Sequence, residues 1–88
     1  MPEKPIIPFV HMNGTSLNEL LALRENFYSA LDAAYTALKQ MAPNGRDFYP
    51  DPGRMERALE QHRRRQQAIQ DLQKEIELEC ELINELEK

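Results

Sequence analysis

Residues 52–87 read PGRMERALEQHRRRQQAIQDLQKEIELECELINELE, and beyond Pro52 and Gly53 at the start the stretch holds no helix breaker. Met55, His62, Ile69, Ile76 and Ile83 recur every seven residues. Ala58, Leu72 and Leu86 stand three positions further on, where Arg65 and Glu79 interrupt the series. A seven-residue apolar repeat is the seam of a coiled coil, because it keeps one stripe of a helix turned toward a partner. The seam is weak in its first half and good in its second. Asp51-Pro52 opens the segment as an N-cap followed by proline at the first helical position, where its missing N–H costs nothing.

Upstream, Ser16-Leu17-Asn18-Glu19 has the spacing of a capping box. Leu17, Leu20, Leu21, Phe27, Tyr28, Leu31, Ala34, Tyr35, Leu38 and Met41 follow at steps of three and four, one broad apolar stripe. Leu23, Ala30 and Ala37 widen it, which suggests more than one packing partner. Pro43-Asn44-Gly45 stops this helix, since proline cannot continue it and Asn-Gly readily takes positive φ. The short connection to Asp51 then forces the chain to turn back. These features predict an all-α chain: an extended arm over residues 1–15, then a helical hairpin over 16–88 with helices at about 16–42 and 52–87, and no sheet. The second helix is longer by roughly 16 Å at 1.5 Å per residue. A tight turn would place that overhang at the acidic C-terminal end, with Leu78 and Leu82 exposed on it and Ile6, Ile7, Phe9 and Val10 of the arm nearby.

An 88-residue chain makes one small domain. Cys80 is the sole cysteine, so no disulfide within the chain can reinforce the core, and a lone thiol suits a reducing, cytosol-like compartment. One cysteine with the distant His11 and His62 does not build a zinc site, and neither metal nor cofactor is expected. The expected supplement to a marginal core is self-association into a homo-oligomer through Ile69, Ile76 and Ile83. The opening residues lack the pattern of a signal peptide, the run from Ile6 to Val10 is too short for a membrane span, and Asn13-Gly14-Thr15 matches a glycosylation acceptor only by accident. The net charge of −4 argues against a nucleic-acid polymer as partner. The sign is unevenly spread: Arg54, Arg57, Arg63, Arg64 and Arg65 dominate the middle, and Glu75, Glu77, Glu79, Glu81, Glu85 and Glu87 the end.

The residues that could carry chemistry point to binding and not to catalysis. No base stands near Cys80 in sequence, so it reads as a packing residue. His62 lies on the seam and reads as a polar residue that sets register or oligomeric state. Arg63, Arg64 and Arg65 diverge around the helix and read as a solvated or salt-bridging face. Candidate binding residues gather in the two non-helical stretches: His11, Asn13 and Thr15 before the first helix, and Asn44, Arg46, Asp47, Phe48 and Tyr49 between the helices. A bare turn needs no guanidinium and no pair of aromatic rings, and that set suits a phosphate, a base or a protein. Phe48 and Tyr49 also read as plugs for the hairpin end. The two stretches lie at opposite ends of the first helix, roughly 37 Å apart at 1.5 Å per residue. They meet only if subunits pack antiparallel, as the basic middle and acidic end of the second helix favour.

His11-Met12-Asn13-Gly14-Thr15-Ser16, a helix, Ala42-Pro43-Asn44-Gly45-Arg46-Asp47-Phe48-Tyr49-Pro50 and a second helix together resemble a group of small helical-hairpin proteins of tailed bacteriophages. The resemblance spans about residues 9 to 75 and implies origin more than activity. The layout is also similar, in architecture alone, to phage sponges that sequester the cyclic nucleotides of bacterial CBASS immunity. Two expectations follow. One is a cytoplasmic counter-defence protein, acting in an infected bacterial host, that captures an immune signal nucleotide or a host protein. The other is a small structural or assembly protein acting through its coiled coil.

Overall fold

A computed structural model of the chain describes residues 5–10 and 14–86. Three helices carry it: α1 (Leu17–Lys39), α2 (Gly45–Phe48) and α3 (Pro52–Glu85), with no strand among the described residues. The caps form where the sequence placed them. Ser16 Oγ accepts from the Glu19 N–H at 3.2 Å, and Asp51 Oδ1 accepts from the Arg54 N–H at 3.1 Å with Pro52 in the first turn. α1 ends earlier than expected, at Lys39. Tightened bonds from Met41 N–H to Leu38 O (2.9 Å) and from Ala42 N–H to Lys39 O (3.2 Å) close it before Pro43.

α1 and α3 pack side by side as the expected hairpin, and four side-chain pairs record their register. Arg24 Nε donates to Glu79 Oε1 at 3.0 Å, Tyr28 Oη to Glu77 Oε1 at 2.7 Å, Gln73 Nε2 to Asp32 Oδ1 at 2.7 Å, and Gln70 Nε2 more weakly to Tyr35 Oη at 3.4 Å. Leu20 and Leu38 of α1 and Ile76 and Ile83 of α3 form the buried apolar core, with Ile83 fully enclosed at 0% exposure. The heptad seam of α3 is therefore largely spent inside one chain. Ile76 and Ile83 are covered by α1, so the expectation that they stay bare until a second subunit arrives is overturned.

The register also moves the overhang. Arg24 lies opposite Glu79, so the start of α1 reaches the end of α3, and the unmatched length of α3 falls at its basic N-terminal end. The reason lies in residues 40–51, which are not a tight turn. Asn44 does not take positive φ, and no described residue does. Its side chain accepts from the Arg46 N–H at 2.9 Å and caps the short helix α2, which packs on α3. The link thereby travels along α3 before Asp51 starts the helix. The result is a rod of 62 × 25 × 18 Å. No helix among the described residues is long and apolar enough to cross a membrane.

Burial predicts two stability effects. Ile83→Ala removes an enclosed side chain and should cost about 2–5 kcal/mol, read from the denaturant midpoint, whereas Leu78→Ala on the exposed side should cost far less. Arg24→Met leaves the largely covered Glu79 carboxylate unpaired and should cost about 1.5–3 kcal/mol. Adding Glu79→Leu should restore part of the loss, because replacing both charges by apolar groups removes the orphan.

Candidate functional site

The structure separates three regions where side chains other than core residues cluster. The first is a cleft of about 460 Å³ between α1 and α3, lined by Arg24, Tyr28, Ile76, Glu77, Cys80 and Glu81 among others. Its polar groups are bonded to one another. Arg24 also donates through Nη1 to the Leu20 carbonyl at 3.2 Å, and no fully buried side-chain nitrogen or oxygen in the described residues lacks a partner. The bond to Glu77, then desolvation, then the charges of Glu77 and Asp32 hold the Tyr28 phenol above its ordinary range. Desolvation, reinforced by Glu25, Glu79 and Glu77 against the opposing pull of Arg24, raises the Cys80 thiol too. At neutral pH this cysteine is a protonated packing group and a poor nucleophile.

The second region is the loop end, where most of the sequence-derived candidates sit. Asn44 is committed to capping α2 through the Arg46 N–H. Asp47 and Phe48 turn toward α3. They share a cleft of about 240 Å³ with Met41, Ala42, Pro43, Ala58, Gln61, His62 and Arg65. Phe48 is half-buried and plugs the hairpin end, while Arg46 and Tyr49 stand in solvent, Tyr49 at 85% exposure. His62 is buried here by the returning link, a closer role than that of a seam residue awaiting another subunit. Thr15 is exposed at the far end of α1, about 35 Å away by the rise of a 23-residue helix. Within one chain it joins no site with Arg46. His11 and Asn13 lie outside the described residues.

A row of basic residues on α3 was not singled out from the sequence. Arg54, Arg57, Gln61 and Arg64 follow steps of three, four and three, so they rise along one face. Phe48 and Ala58 join them in lining a cleft of about 360 Å³. Arg54 leans on Asp51 and Arg64 on Glu60, both at 3.9 Å and well exposed, while Arg57 makes no ion pair among the described residues. Exposed pairs at that distance are weak and easily exchanged for another anion. Arg63, which leans on Glu60 at 3.8 Å, and Arg65, in the His62 cleft, point elsewhere, as the sequence reading held. The 3-4-3 spacing was the available signal. The contiguous Arg63, Arg64 and Arg65 mask that spacing in the sequence.

The third region is a bare apolar face of α1 that includes Leu23 and Phe27. Among the described residues no three His, Cys, Asp or Glu side chains approach closely enough to hold a metal ion. Comparison with protein-family models, with characterised proteins and with solved structures finds no match.

The environment of Cys80 predicts its reactivity. A neutral thiol reagent at pH 8 should modify the folded chain several-fold more slowly than the urea-unfolded chain, because a raised pKa leaves less thiolate. Equal rates in the two states would contradict the assigned environment.

Proposed function

We propose that this protein is a non-catalytic binding protein that captures an anionic partner at its loop end. The carrying observation is the groove of Arg54, Arg57 and Arg64 beside the Phe48 ring, with Arg46 and Tyr49 exposed on the adjoining turn. Planar guanidinium groups on one helix face match phosphate oxygens, and an aromatic wall gives a base something to lie against. The short helix α2 packed on α3 backs that row with the Phe48 ring, so part of the site is ordered before binding. The protonated Cys80 and the mutually bonded polar groups of the interhelical cleft offer no activated nucleophile, which favours capture over chemistry.

The phage resemblance of the two loop motifs gives this reading its setting: a counter-defence factor, cytoplasmic in an infected bacterium and working as a homo-oligomer, that sequesters a host immune signal such as a cyclic nucleotide. The bare apolar face of α1 favours a second reading, a small phage assembly protein that docks helix to helix.

Titration calorimetry against cyclic di- and trinucleotides separates the two. Binding by the wild type should weaken by about ten- to a hundredfold for each arginine removed in Arg57→Ala and Arg64→Ala, with helicity unchanged. Arg46→Ala should weaken it less than either. Wild type that binds none of the panel, or an Arg57→Ala/Arg64→Ala protein that binds as well as wild type, sinks the anion-capture reading.

A further inference from the structure

The cleft of about 460 Å³ between α1 and α3 is built from one helical turn of each element. Arg24 and Tyr28, and Glu25 and Ser29, are spaced by four on α1, as are Ile76 and Cys80, and Glu77 and Glu81, on α3. Its inner surface is apolar: Ile76 is buried, and Cys80 and Tyr28 are half-buried. The Tyr28 hydroxyl donates to Glu77 at 2.7 Å, which holds the ring in place as part of the wall. Glu25 on one helix and Glu77 and Glu81 on the other stand exposed at the rims.

The charge of this lining is one-sided. Among the described residues it holds one cation, Arg24, and Glu79 neutralises it at 3.0 Å. Glu25, Glu77 and Glu81 make no ion pair among the described residues. Their field reaches the floor: desolvation first, and then Glu25, Glu79 and Glu77 against Arg24, raise the Cys80 thiol.

We propose that this groove binds a linear aliphatic diamine or polyamine. The methylene chain lies along Tyr28, Ile76 and Cys80, and the ammonium groups reach Glu25 at one rim and Glu77 and Glu81 at the other. Charge complementarity chooses this occupant over an anion or a neutral molecule. The volume is that of a small-molecule site. No three carboxylates approach closely enough for a metal ion among the described residues, so the cation has to be extended and not a point charge. Carboxylates on both rims with an apolar strip between them match a ligand charged at both ends and apolar in the middle. The Tyr28 ring adds a face to which an ammonium group is attracted. The groove begins roughly 18 Å along α3 from Arg64, counting twelve residues at 1.5 Å each, so it is separate from the anion site at the loop end.

Saturation-transfer NMR on the full chain with millimolar cadaverine tests the site at constant ionic strength. Saturation should pass to the cadaverine methylenes. Glu25→Gln/Glu81→Gln should weaken binding by roughly five- to twentyfold with the helix signal unchanged, because both side chains are exposed and outside the interhelical bonds. Glu56→Gln/Glu60→Gln removes the same charge at the other end of α3 and should bind as wild type does. Pentylamine, with one ammonium group, should bind wild type several-fold more weakly than cadaverine, and that difference should shrink in Glu25→Gln/Glu81→Gln. Absence of transfer to cadaverine in wild type overturns the site. Equal weakening in the two double variants reduces it to general charge attraction and overturns it as well, and pentylamine binding as tightly as cadaverine overturns the two-ended ligand. This groove and the loop-end anion site are tested by different ligands and different variants, so either can fail alone.

Discussion

The contact between Arg24 and Glu79 decides which of several nearly equivalent registers the hairpin adopts. Ile69, Ile76 and Ile83 are identical side chains seven residues apart, so sliding α3 past α1 by one heptad would keep much of the apolar packing. Such a slide would bring Leu72 or Leu86 opposite Arg24 in place of Glu79. At the observed register the two charged side chains are 20% and 14% exposed, and either left alone there would be a largely desolvated, unpaired charge. The pair contributes little by attraction alone, but its loss in any other register is costly. Gln73 and Asp32 reinforce the choice with a second, part-buried hydrogen bond.

Everything at the loop end follows from that register. With the start of α1 held at the end of α3, the surplus length of α3 projects past Lys39 at the other end. The link has to cover that surplus, and it does so with a capped helical turn laid on α3. Burial of His62, the wedging of Phe48 and the enclosure of a groove beside Arg54, Arg57 and Arg64 are consequences of one displaced connection. A tight Asn-Gly turn would have left the arginines on an open helix surface with no wall beside them.

The two flanks of the hairpin divide polar and apolar work. One carries the interhelical hydrogen bonds and a cleft whose polar groups are paired, with Tyr28 and Cys80 both held in their protonated forms at neutral pH. The other exposes Leu23 and Phe27 on α1 and Met41 in the turn after it. The paired flank gives the hairpin its own specificity, and the other flank leaves apolar side chains exposed. Such asymmetry suits a chain too small to enclose all of its apolar residues in one core.

Local chemistry decided much of this protein. The Ser16 and Asp51 caps, the Pro43 stop and the heptad run are short-range features, and helices arise where they predict them because capping and periodicity act within one or two turns. Arg46, Phe48 and Tyr49 were legible as residues beyond the needs of a bare turn, though Phe48 alone of the three is partly enclosed. Register was not legible, since it depends on pairs such as Arg24 and Glu79, 55 positions apart, whose meeting no local pattern encodes. The division of the α1 stripe was hidden for a related reason. Leu38 and Met41 have the same apolar signature and lie three residues apart, yet one is in the core and the other in solvent. Which of them faces α3 is set by the rotation of α1 about its own axis, and only the packed tertiary structure fixes that angle.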